Sequence, residues 1–121
     1  MKLEIPGVNT ENGLDLCDGD LDVYMHFLRI YISSMPAALE KMQNVSEETL
    51  KEYIVTIHGV KGISETICAE EVASAAKQLE EIAKNNDLAG VLALNGPFII
   101  HAEKIVDSIR SWLTKKNRLI P

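Results

Sequence analysis

The sequence predicts an all-α fold: an up-and-down antiparallel bundle of four main helices behind an N-terminal segment, one domain over residues 1–121. Three observations predict it. Apolar residues recur at steps of three and four through most of residues 20–116, the mark of helices with one buried face. Only 5% of residues are aromatic while 46% are hydrophobic, so the core must be built from Ile, Leu, Val, Ala and Met, which helices accommodate readily. The connections between the periodic stretches are short, which favours antiparallel neighbours.

Residues 1–19 carry Gly7, Gly13, Gly19 and Pro6 without a helical period, and predict an extended lead-in packed by Leu14 and Leu16. From Asp20, the series Leu21, Tyr24, Phe27, Leu28, Tyr31 and Ile32 marks a helix, with Asp18 or Asp20 as its cap. Pro36 fits the first turn of a helix or kinks its interior, so a piece over 36–43 continues the first helix or bends from it. Ser46 followed by Glu47 and Glu48 signals a new start, and Leu50, Tyr53, Ile57, Val60, Ser64 and Ile67 share a face; the reading is a helix over 47–67. A helix over 70–84 follows, with Val72, Ala76, Leu79 and Ala83 inward and Asn85-Asn86-Asp87 as its stop. The last helix, 88–116, is expected to break or restart at Asn95-Gly96-Pro97.

Twelve Lys and Arg against eighteen Asp and Glu give a net charge of −6, with no basic stretch able to follow a phosphate backbone, so nucleic acid is not an expected partner. The apolar runs fall far short of the ~20 residues that cross a bilayer. Met1-Lys2-Leu3-Glu4-Ile5-Pro6 is broken by acid and proline before a signal region could develop, and a cytoplasmic protein is expected. Cys17 and Cys68 have neither framework nor metal spacing and read as small apolar residues in a reducing compartment. A metal-binding bundle would want paired Glu-x-x-His motifs on facing helices, and none is present; His101 precedes its acid, Glu103.

Of three histidines, His26 and His101 sit among apolar neighbours without a partner set and read as boundary or surface residues. His58 differs. At about 100° per residue it projects roughly 120° from the core face of its helix and presents its ring to solvent. Gly59 and Gly62 flank it mid-helix, where each weakens the helix by about 1 kcal/mol relative to alanine. A side chain at i+4 leans back over the ring, and Gly62 has none. Lys61 stands one turn on and Lys51 two turns before, so a phosphoryl group on the imidazole would find ammonium groups nearby. Alternatively, Gly62 permits a close helix crossing and Lys61 is a solvated charge.

His58-Gly-Val-Lys61-Gly62-Ile-Ser64, with Ile67-Cys68-Ala69, Ala76 and Leu79-Glu80, resembles the signature of histidine-containing phosphotransfer (HPt) domains. More loosely the resemblance takes in Gly13-Leu14-Asp15, Tyr24 to Ile32 and Trp112-Leu113, nearly the whole chain. The sequence departs from that pattern in two places: Cys68 stands where glycine is usual, and Gly59 where a side chain is common. The resemblance implies a four-helix bundle whose His58 accepts a phosphoryl group from an aspartyl phosphate on a receiver domain, or from a kinase, and passes it to another receiver. It implies Lys61 as the nearby cation, Gly62 as the access glycine, and Glu80 as the acceptor that orients the ring. The wheel puts Glu80 at the core border, though a solvated acid beside Glu81 has the same spacing. Gly62, Lys51, Val55 and Glu65 are the expected partner contacts. The partners implied are response-regulator receivers and a sensor or hybrid histidine kinase. No cofactor or metal is expected on this chain, since no phosphate loop or carboxylate set appears and Mg²⁺ belongs to the receiver. A carrier, not a kinase, and a monomer, is the expectation; the alternative is an unphosphorylated helical adaptor that binds a receiver.

Overall fold

The computed structural model describes residues 4–119, and side chains for residues 4–115. Of the lead-in segment, residues 1–3 lie outside the described residues. Five helices follow one another: α1 Thr10–Leu16, α2 Leu21–Lys41, α3 Leu50–Thr66, α4 Glu70–Lys84 and α5 Leu88–Leu119. α2 packs on α3 and α5, and α4 closes the ring between α3 and α5. Tyr24, near the start of α2, donates its hydroxyl to the carbonyl of Ile67 just past the end of α3, so α2 and α3 run antiparallel. The all-α antiparallel bundle expected from the periodicity is the fold observed.

Two hydrogen-bonded layers tie the core together. Near one end, the buried hydroxyls of Tyr31 and Ser64 lie 3.0 Å apart, which accounts for a serine on the core face of α3. Burial pushes the Tyr31 phenol up to about 12. At the other end Tyr53 donates to Asn95 Oδ1 at 2.8 Å, and Asn95 Nδ2 donates to the carbonyl of Met42 at 2.8 Å. Each polar group is thereby paired, as burial requires.

The structure corrects three expectations. The lead-in is not extended throughout: α1 lies within it, capped by Asn9, whose side chain accepts from the amide of Asn12 at 3.1 Å. A seven-residue helix is marginal alone. Asn9 anchors it, donating its amide to the carbonyl of Cys68 and its side chain to Glu70. Gly13 lets it settle on Tyr24, where any Cβ would meet the buried ring. Second, α3 begins at Leu50 rather than residue 47, because Ser46 and Thr49 bond each other in a turn that precedes it.

Third, α5 is continuous through Asn95-Gly96-Pro97. Asn95 does not bend the local backbone because its amide is taken by Tyr53 and Met42. Gly96, lacking a Cβ, removes much of the clash that drives a residue before proline out of the helical region.

Other expectations match. Of the two courses left open at Pro36, the chain takes the first: α2 runs unbroken through it. Asp20 is the cap of α2, accepting from the amide of Val23 at 3.2 Å, and α4 has the expected bounds. Among the described residues no helix is long and apolar enough to cross a membrane.

Candidate functional site

The antiparallel pair α3 and α4 sets one face of each helix against the other, and the turn between them fixes their register. In that turn the amide of Ala69 bonds the carbonyl of Ser64, and that of Cys68 the carbonyl of Glu65. These are the paired hydrogen bonds of a Schellman cap, which needs a left-handed residue where glycine is favoured. Cys68 takes that conformation at φ 62°, and both hydrogen bonds of the cap form around it.

The register places Glu80 of α4 opposite His58 of α3. Glu80 is buried, at 3% exposure, and is not a solvated acid like Glu81. Its carboxylate has three partners. Oε2 lies 2.7 Å from His58 Nδ1 and 3.1 Å from Lys84 Nζ, while Oε1 lies 2.7 Å from Lys61 Nζ. Hydrogen bonds from Lys61 foremost, and from His58 and Lys84, hold the carboxyl down to about 2 against the opposing effect of burial. Glu80 is therefore ionised and acceptor-only at neutral pH. The bond to Glu80 in turn raises Lys61 above the ordinary lysine value.

An ionised Glu80 makes Nδ1 of His58 the protonated nitrogen, and the neutral ring then carries its lone pair on Nε2. The His58 side chain is 67% exposed. A Cβ at Gly62 would meet no atom within 4 Å, and the same is true of Gly59, so no helix crossing demands either glycine. The arrangement offers a nucleophilic nitrogen with a fixed tautomer on an open face, backed by a buried anion and two ammonium groups.

A family model for the Hpt domain matches residues 26–112. The chain belongs to the Hpt domain family. Hpt domains are phosphocarrier modules of two-component signalling rather than kinases. No curated protein and no solved structure matches the chain.

Within this Hpt domain the expected site residues separate into two groups. His58, Lys61 and Glu80 are brought together in one hydrogen-bonded cluster. Lys61 is committed to Glu80 and only 23% exposed, closer to the core than an open phosphate cation would be. Val55, exposed at 73%, stands one turn before His58, and Lys51 is exposed two turns before it. Glu65 lies one turn beyond Lys61, and the two line a shallow groove with Ser74 and Lys77. Lys84 was not foreseen; its signal was the i to i+4 spacing from Glu80 on one helix face. His101 lies 3.6 Å from Glu71 of α4, a partner remote in sequence, and His26 is exposed with its ring tilted against Phe27. Among the described residues no three or more His, Cys, Asp or Glu side chains are grouped to hold a metal ion.

Proposed function

We propose that this Hpt domain is a phosphorelay intermediate in which His58 Nε2 takes a phosphoryl group from the aspartyl phosphate of a receiver domain and hands it to a second receiver. One observation carries the reading: an open imidazole whose other nitrogen is held at 2.7 Å by a buried carboxylate. The Nε2 lone pair attacks phosphorus, the bond from phosphorus to the aspartyl oxygen breaks, and the aspartate leaves as a carboxylate. The Nδ1 proton stays on the ring, donated to Glu80. The reverse step, on another receiver, returns the nitrogen its lone pair. Such transfer needs positioning and charge stabilisation more than covalent help from the protein.

Glu80 orients the ring, Lys61 offsets charge at the site through Glu80, and Gly62 leaves space for the receiver's aspartate. Lys51, Val55 and Glu65 meet the receiver's rim. The domain acts as a monomeric unit over residues 1–121 in the cytoplasm and binds no cofactor of its own; Mg²⁺ and the acidic pocket are the receiver's, and ATP is used by a sensor or hybrid kinase.

The test is incubation with receiver domains phosphorylated by acetyl phosphate, scoring acid-labile phosphate on this chain. Label is expected on wild type and absent from His58→Gln, with unchanged helical circular dichroism. Label persisting in that variant would remove His58 from the scheme. Receiver binding without label would assign the chain to the adaptor class.

A further inference from the structure

Lys84 has had no part in this scheme, yet its ammonium lies 3.1 Å from Glu80 Oε2, the oxygen that also takes His58 Nδ1. Lys61 has the other oxygen. The charged groups facing the carboxylate are His58 and Lys61 from α3 and Lys84 from its own helix. Glu65 and Glu81 act on Lys61 from farther off.

A carboxylate 4% exposed is poorly solvated and bears strongly on whatever shares its oxygens. Facing Oε2 alone, the imidazole would be drawn toward its doubly protonated form, because a nearby opposite charge favours the charged state. That form has hydrogen on both nitrogens and no lone pair on Nε2. An ammonium on the same oxygen opposes this pull. An amide at position 80 would exert no such pull and would need no counter-charge.

We propose that Lys84 is a positioning residue for His58: by occupying Oε2 together with Nδ1–H, it keeps Glu80 a weak acceptor that fixes the tautomer without protonating the nucleophile. The proposal rests on His58 as phosphoacceptor. It makes the contribution of Lys84 conditional on residue 80 being a carboxylate. A lysine that served only the helix, as a cation near its C-terminus, would show no such condition.

The experiment measures transfer from an acetyl-phosphate-charged receiver across pH 5.5–9 for wild type, Lys84→Met, Lys84→Arg, Glu80→Gln and Glu80→Gln/Lys84→Met. In Lys84→Met the acid limb of the rate profile moves to higher pH, read as a loss of roughly three- to tenfold in rate at pH 5.5, and the alkaline plateau is kept. Lys84→Arg retains the wild-type profile. In the Glu80→Gln background Lys84→Met shifts nothing further. An unmoved limb in Lys84→Met overturns the proposal, as does an equal loss in the Glu80→Gln background, which would have Lys84 act on the phosphoryl group directly. Ring ¹⁵N spectra of the unphosphorylated chain at pH 7 give a second readout independent of transfer: the doubly protonated fraction of His58 rises in Lys84→Met. No label on wild type defeats the phosphorelay reading; an unchanged ring spectrum in Lys84→Met defeats this one.

Discussion

Glu80 is where single-residue chemistry decides most. Its folded-state value, about 2, lies below the ordinary carboxyl value of 4.5, with Lys61 as the leading cause. The folded state therefore binds fewer protons than the unfolded chain between those values, and stability falls as pH falls through that window. The contribution is fully present above about pH 4.5 and is lost toward about pH 2. Urea unfolding of wild type and Glu80→Gln should thus differ more at pH 6 than at pH 3; an equal difference at both would mean that the ion pairs do not stabilise the fold. For transfer, Glu80→Gln keeps an acceptor oxygen and should retain much of the rate, whereas Glu80→Ala frees the ring and should lower it. Equal rates for Glu80→Ala and wild type would deny that the 2.7 Å bond orients the nucleophile. Spacing pointed to His58, and the family resemblance added Glu80. Lys84 escaped because a surface lysine one turn from an acid is common, and only the burial of that acid makes it informative.

Among the helices, α3 carries the site at the expense of its own regularity. Gly62 has open space where a Cβ would go, so Gly62→Ala should raise stability by up to about 1 kcal/mol and perturb transfer far less than Gly62→Gln, whose side chain leans back over His58. Thermal melts and transfer rates of the two variants test this together. If Gly62→Gln transfers as fast as Gly62→Ala, the glycine does not serve access. Long periodic helices were legible because their burial and their period are one fact: Leu28, Tyr31, Met35 and Leu39 are all buried on α2. What the sequence hid was decided by tertiary partners. α1 is held by Cys68 and Glu70, far along the chain, and carries too few apolar residues to show a period. Asn95-Gly96-Pro97 has the chemistry of a turn, but the turn-forming amide is spent on Tyr53 and Met42.

Across the whole molecule, the reacting ring of His58 and the core that holds the bundle together lie in different layers. His58 lies on the open face of α3, while the core runs from Tyr24 and Tyr31 through Ile57 and Leu79 to Ile109, all buried to 2% exposure or less. Tyr53 and Asn95 join α3 to α5 from inside that core, and the latter is bonded to the loop after α2. Asn95→Ala leaves the Tyr53 hydroxyl and the Met42 carbonyl without their partner in a dry layer, a loss of about 1–3 kcal/mol. His58→Gln removes an exposed ring and one hydrogen bond whose acceptor keeps both lysines, so its effect on the melt should be within about 0.5 kcal/mol. The pair is expected to cross over. Asn95→Ala, assayed well below its melting temperature, should still carry phosphate because α3 and α4 keep their register through Cys68 and Ala69, whereas His58→Gln should melt like wild type and carry none. If Asn95→Ala loses transfer in step with stability, the site depends on the α3 to α5 layer as well, and the register of α3 and α4 alone does not hold His58 against Glu80.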